Sequence, residues 1–258
     1  MEKISRSDHE STLLEYSVWD RTTRIFHWIN VLAVIGLIAV GLVILNAKTL
    51  GVSNEGKILL KMIHAYIGYV FCLNLIWRLV WLFIGNRYAR WRAILPLGGA
   101  YKVALQTYIS GLKAGKAPGY MGHNPLARLM VALLFLLLTA QATTGLVLAG
   151  TDLYLPPFGH EIAEWVMGAG EDHQKLELLT PGSKEFVDPA GYAEMREFRK
   201  PFITVHLYSF YVLLAAIFLH IAAVVVTESR ERNGLVSAMF TGRKVFAETP
   251  VDADDERP

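Results

Sequence analysis

Four histidines lie within stretches of chain that are otherwise suited to hydrocarbon, and their spacing is the first sign of chemistry. His206 and His220 are fourteen residues apart in the apolar run 202–226. In an α-helix that separation is close to four turns, so both imidazoles leave nearly one face, about 21 Å apart along the axis. Such a helix presents one histidine near each surface of a membrane. His27 and His64 stand near the starts of two further apolar runs. An unpaired imidazole in hydrocarbon is costly, so four of them on three helices need partners. Two neutral imidazoles in opposition are an axial set for a low-spin haem iron, with no open position for oxygen chemistry. The remaining four, His9, His123, His160 and His173, fall in polar connections, where solvated or capping roles are the default.

The elements that would position these ligands follow from composition. The 258 residues are 53% hydrophobic and 11% aromatic, with positive mean hydropathy, which excludes an ordinary soluble domain. Four runs, 25–45, 58–84, 126–149 and 202–226, are long and apolar enough to cross about 30 Å of hydrocarbon as helices. The expected fold is an all-α membrane protein, a bundle of four transmembrane helices holding two haems. Residues 1–24 form a polar N-terminal segment with five acids and no apolar centre, unlike a cleavable signal peptide. Residues 25–226 are the membrane domain and 227–258 a polar tail whose acidic end, 252–258, has a disordered composition. Short helices are expected at 101–112, 161–167 and 228–232. The single cysteine, Cys72, lies in the second run and reads as a small buried residue. With no second thiol there is no iron–sulfur cluster, and no Cys-x-x-Cys-His occurs, so the haems are expected to be of b type.

Charge sets the orientation. The N-terminal segment, the 85–125 connection and the tail carry fifteen Lys and Arg, against seven in the 46–57 and 150–201 connections. The six in 85–125 are unaccompanied by any acid, whereas 150–201 holds ten acids. Both termini are therefore expected in the cytoplasm, with the acidic 150–201 loop outside. Depth then pairs the histidines. His27 and His220 fall near the inner surface, and His64 and His206 near the outer one.

Arg78 follows His64 by fourteen residues and shares its face at the depth of the inner haem. It is a candidate partner for a propionate there, with Arg24 a second; a snorkelling arginine at a helix end is the competing reading. Lys61, one turn before His64, is the corresponding candidate outside. Gly68, one turn after His64, leaves room for a macrocycle edge, as Gly145 does on the third run, while Gly36 and Gly41 permit close approach on the first. Gln141, Thr143 and Thr144 add a small polar patch beside Gly145.

Four motifs occur in order: Arg24-Ile25-Phe26-His27-Trp28, Gly85-Asn86-Arg87-Tyr88-Ala89-Arg90, Gly122-His123-Asn124-Pro125-Leu126 and Val236-Ser237-Ala238-Met239-Phe240-Thr241-Gly242. Together they resemble the b-type cytochrome subunit of membrane-bound nickel–iron hydrogenases, within the four-helix di-haem cytochrome b superfamily. The likeness spans about residues 16–246 and includes the fourteen-residue histidine spacing. The resemblance implies haem ligation by His27, His64, His206 and His220. It also implies an outer partner, the small and large hydrogenase subunits, and quinone as acceptor in a bacterial inner membrane. Two departures stand out: the 150–201 connection is longer and more acidic, and Ile203 stands where that family often has another histidine. The altered loop is where a donor docks, so a different periplasmic oxidoreductase or a cytochrome c is the alternative donor.

The chain is thus expected to be an electron-transfer subunit that holds and tunes cofactors. No span carries a carboxylate to mark a quinone site, and nothing points to nucleic acid. Two other classes compete: a transporter lined by intramembrane His, Lys and Arg, and a cofactor-free anchor with histidines as interhelical glue. Against the transporter stand the lack of acids in every span and of an internal repeat. Replacing His220 is expected to remove the same haem that replacing His27 removes, leaving the other intact in the visible spectrum. Loss instead of the haem bound by His64 would contradict the orientation.

Overall fold

In a computed structural model, which describes residues 13–168, 176, 178–183 and 185–253, the chain is mostly helical. A short strand β1 (Leu14–Ser17) precedes the helices α1 (Arg21–Leu45) and α2 (Asn54–Ile84). Then come α3 (Trp91–Ile94), α4 (Gly99–Lys113), α5 (Pro125–Leu153) and α6 (Gly159–Met167). The long α7 (Pro189–Glu231), α8 (Leu235–Thr241) and strand β2 (Arg243–Phe246) complete the order. Among the described residues, α1, α2, α5 and α7 are long and apolar enough to cross a membrane. Large side chains such as Leu32, Leu73, Leu136 and Phe218 stand exposed along them, as helices facing lipid require.

One capping device starts each of these helices. Asp20 Oδ1 accepts the Thr23 N–H at 2.6 Å, and Ser53 Oγ accepts that of Gly56 at 3.1 Å. Asn124 Oδ1 takes the Ala127 N–H at 2.8 Å and Asp188 Oδ2 that of Gly191 at 2.7 Å. Each satisfies an otherwise orphaned N-terminal donor. In α5 and α7 a proline follows the cap, where its missing N–H costs nothing. Caps lie outside the apolar runs, so the helices are longer than hydropathy alone suggests. α2 begins at Asn54 rather than 58, and α5 continues to Leu153. α7 begins at Pro189, not 202, and passes through Pro201. The expected connection 150–201 is therefore partly helix. The short helices expected at 101–112 and 161–167 appear as α4 and α6, and that at 228–232 is the end of α7. Most of the acidic end of the tail, like His9 and His173, lies outside the described residues.

The described residues form two compact units. One combines Ile25–Val80 with Leu133–Phe218; the other takes the described parts of Met1–Arg24, Trp81–Ala132 and Leu219–Pro258. In the second unit β1 and β2 pair antiparallel, Leu14 opposite Phe246 and Ser17 opposite Arg243. Val18, Trp19, Tyr88, Met121, Ala238 and Phe246 form its apolar core. Gly242, at φ 86°, turns the chain from α8 into β2. Its carbonyl accepts the N–H groups of Val18 and Trp19 at 2.8 and 3.0 Å. Asn86 Nδ2 donates to the Val18 carbonyl at 2.7 Å. Asp252 accepts the N–H groups of Met121 and Gly122 at 2.7 and 3.1 Å. Three of the sequence motifs thus serve this unit's own fold, and the strand pair joining its ends was not anticipated.

Lys244, on β2, is almost wholly buried. Its Nζ donates to the carbonyls of Tyr120 at 3.2 Å and Gly122 at 3.1 Å and stands 5.8 Å from the Trp19 ring centroid. Burial lowers its pKa from 10.5 to about 8, although the carboxylates of Glu231, Asp252 and Glu228 oppose the shift. Below pH 8 the lysine is charged whether folded or not. Between about 8 and 10.5 the unfolded chain holds a proton that the folded protein has released, so stability gains as pH rises. The thermal midpoint of the wild type, compared with Lys244→Met, is expected to improve from pH 8 to pH 10. Parallel pH curves for the two proteins would contradict this origin of the shift.

Candidate functional site

His64 on α2 and His206 on α7 face one another within the unit Ile25–Val80 and Leu133–Phe218. Their ring centroids are 6.4 Å apart and their planes inclined at 74°. Two imidazoles that each place a nitrogen about 2 Å from one metal ion, on opposite sides, have centroids about 6 Å apart. The observed separation matches that requirement without movement of either helix. Among the described residues no group of three or more His, Cys, Asp or Glu gathers around a possible metal position. Two opposed imidazoles are the axial set that a haem iron leaves for the protein to supply.

The surroundings settle how the rings are held. Thr144 Oγ1 lies 2.8 Å from His206 Nδ1 and also donates to the Ala140 carbonyl at 2.6 Å. A hydroxyl has one proton, so with that proton on Ala140 the oxygen accepts from the imidazole. His206 is then the Nδ1–H tautomer, with its lone pair on Nε2, the form in which an imidazole binds metal. Gln141 Nε2 donates to the His206 carbonyl at 2.8 Å and to Ser209 Oγ at 2.7 Å. The polar patch on the third run thus secures the fourth. His64 Nδ1 is buried and has no hydrogen-bond partner among the described residues.

Small residues face both rings. A Cβ on Gly41 would lie 3.3 Å from His64 Cε1, and one on Gly145 would lie 3.5 Å from His206 Cε1. Gly36 plays the same part against Ile67, at 3.5 Å. Around Gly68 there is open space, with no atom within 4 Å of such a Cβ. Opposed rings, a His206 tautomer that leaves the lone pair on Nε2, and glycine clearance together fit a bis-histidine haem.

His27, on α1, contacts the Trp28 ring edge-on at 5.4 Å between centroids. Asn74 Nδ2 donates to the carbonyl of Phe26, the preceding residue, at 3.1 Å. One turn further along α2, Arg78 is 4% exposed. Its guanidinium lies 5.6 Å from the Phe26 ring centroid and 5.3 Å from that of Phe135, a buried cation–π setting, not a snorkelling one. His220 follows His206 on one uninterrupted stretch of α7, with the proline well before both. His27 and His220 fall in different units, so each is placed by its own helix.

The other candidates make specific partnerships. Lys61 Nζ binds Asp152 Oδ2 at 2.7 Å, and Asp152 Oδ1 binds Arg199 Nη2 at 2.5 Å. Asp152 and Arg199 escape sequence reading because both lie in what hydropathy marks as a loop. Arg24 Nη1 donates to the Phe240 carbonyl, tying the base of α1 to the end of α8. His123 packs against Trp19 at 4.9 Å, and His160 pairs with Glu164 one turn along α6 at 3.4 Å.

Comparison with known proteins adds what the chain is similar to. Over 265 residues, covering 96% of this chain and 89% of the relative, the chain is 25% identical to a protein of Rhodobacter capsulatus named "Probable Ni/Fe-hydrogenase B-type cytochrome subunit". A protein of the same name from Rhizobium leguminosarum bv. viciae is 23% identical over 242 residues, 89% of this chain and 88% of the relative. The Escherichia coli K12 "Probable Ni/Fe-hydrogenase 1 B-type cytochrome subunit" is 30% identical over 149 residues, 53% of this chain and 61% of the relative. No solved structure matches the chain significantly. Residues 18–242 match prokaryotic cytochrome b561, and the chain belongs to that family.

Proposed function

We propose that the chain is a di-haem electron-transfer subunit that takes electrons from a periplasmic oxidoreductase and delivers them to membrane quinone. The observation that carries this reading is the opposed pair His64 and His206, at 6.4 Å between centroids, with one tautomer set by Thr144. A haem b bound there supplies a one-electron ferric/ferrous couple. The protein's part is to hold that couple at fixed height, exclude water and tune its potential. Thr144, by accepting from His206 Nδ1–H, makes the ligand nitrogen more basic and favours the ferric state.

His27 and His220 are assigned to a second haem b, near the cytoplasmic surface. The fourteen-residue spacing on an unbroken α7 supports this level, as does the buried Arg78 beside Phe26, which suits a propionate of that haem. Lys61 takes the same role for the outer haem, while Arg24, already bound to Phe240, is the weaker candidate. The orientation places both termini in the cytoplasm of a bacterium, on the charge asymmetry of the connections. The names of the relatives make a nickel–iron hydrogenase the preferred donor.

In membranes containing the chain and its native partners, hydrogen is expected to reduce b-type haem, and added quinone to reoxidise it. Haem that stays oxidised under hydrogen, yet is reduced by another periplasmic donor, would reassign the donor alone. Gly41→Val would drive a branched side chain into His64, since even a Cβ there stands at 3.3 Å. It is expected to lower the haem content by half while sparing the inner haem. Full occupancy in that variant would contradict the placement of His64 as a ligand.

A further inference from the structure

Close to the outer histidines lies a charged cavity. Its volume is about 210 Å³, and its walls include Lys61, Arg199, Asp152, Tyr154, Tyr192 and Ser183. Lys61 is three residues before His64 on α2 and Arg199 seven before His206 on α7, so both cations lie within two helical turns of a proposed ligand. Asp152 bridges them, one oxygen to each, at 2.7 and 2.5 Å. One carboxylate between two cations leaves an excess positive charge. That charge is held largely out of water, for the three side chains are only 29%, 21% and 16% exposed for Lys61, Arg199 and Asp152. The guanidinium is also incompletely satisfied: its Nε is buried and has no hydrogen-bond partner among the described residues. One nitrogen of the planar guanidinium fork is engaged by Asp152, and the fork has further N–H groups to offer a second acceptor.

We propose that this cavity takes a carboxylate, and that the carboxylate is a propionate of the haem held between His64 and His206. Arg199 is its principal donor, Lys61 its second, and Asp152 the internal counter-charge that keeps both cations in place. The inference rests on the reading of His64 and His206 as haem ligands, and extends it from one lysine to a three-residue clamp. The position argues for a propionate over a soluble anion. Both cations stand on the ligands' own helices, toward the polar ends of α2 and α7, where the acidic edge of a porphyrin avoids hydrocarbon.

The clamp has an electrostatic signature. Reduction adds negative charge to the haem, so a nearby cation favours the reduced state and a nearby anion opposes it. Redox titrations of the purified full-length holoprotein read this directly, with His206→Ala identifying the outer wave by its loss. Arg199→Gln should lower the outer potential and Asp152→Asn should raise it, with the inner wave unmoved. Each change should shift the reduced-to-oxidised ratio at fixed ambient potential by about three- to tenfold, a tenfold change corresponding to about 59 mV for one electron. Arg199→Lys should return most of the loss, which keeps the test readable if the Gln variant assembles poorly. Redox-difference infrared spectra, with the haem isotopically labelled at its propionate carboxyls, identify the source of the carboxylate. A labelled band that moves in Arg199→Gln supports the propionate. A band that stays put, together with an outer potential that follows added acetate, gives the cavity to a soluble carboxylate and overturns the proposal. Outer potentials unchanged in both charge variants overturn it too. Fewer than two haems in the wild type would instead remove the reading on which the clamp rests.

Discussion

A ring nitrogen placed in hydrocarbon must be matched by a proton, an acceptor or a metal, and the membrane-facing part of this chain is arranged around that demand. At His206 each nitrogen has a defined role. The Thr144 proton goes to its own helix at Ala140, so the hydroxyl oxygen accepts from Nδ1, and the second nitrogen is left as a lone pair. His64 faces that ring from the neighbouring helix, with its own Nδ1 buried and unmatched among the described residues. Gly41 and Gly145 keep the approach open. On the proposed reading an iron between the rings would take the Nε2 lone pair that His206 keeps, and its counterpart on His64.

Much of this was legible in the sequence because it depends on period. Fourteen residues between His206 and His220 fix a shared face and a 21 Å rise on any regular helix, roughly four turns. The structure supplies that regularity, since α7 is unbroken from well before His206 to Glu231. The apolar runs likewise located α1, α2, α5 and α7. Hydropathy failed at the helix ends, because ends are set by caps. Asp188 and Pro189 begin α7 thirteen residues before the apolar run does, and that polar extension carries Arg199. The partner of Lys61 was missed for the same reason: Asp152 lies past the apolar part of α5 but still within the helix.

The motifs that signal the family divide by purpose. The histidine beginning the first span belongs to the proposed cofactor chemistry. Asn86, Gly122 and Gly242 instead hold together the unit containing the two strands. No periodic signal announces such contacts, for they join positions far apart in the chain through single hydrogen bonds, 68 residues for Asn86 and Val18 and more than 120 for Lys244 and the carbonyls of Tyr120 and Gly122. The same absence of pattern hid the burial of Lys244, which composition alone places on a surface. Arg78 shows the converse. Its register was readable from His64, but only packing decides that its guanidinium lies beside the stacked rings of Phe26 and Phe135 rather than at the lipid boundary.

The central claim is the number of irons held at two heights between imidazoles. Quantifying haem b per polypeptide in intact purified protein, with the spin state read by electron paramagnetic resonance, addresses it most directly. The account requires two haems per chain, both low-spin with two nitrogenous axial ligands. A single haem, a high-spin centre with an open position, or a colourless folded protein would contradict it.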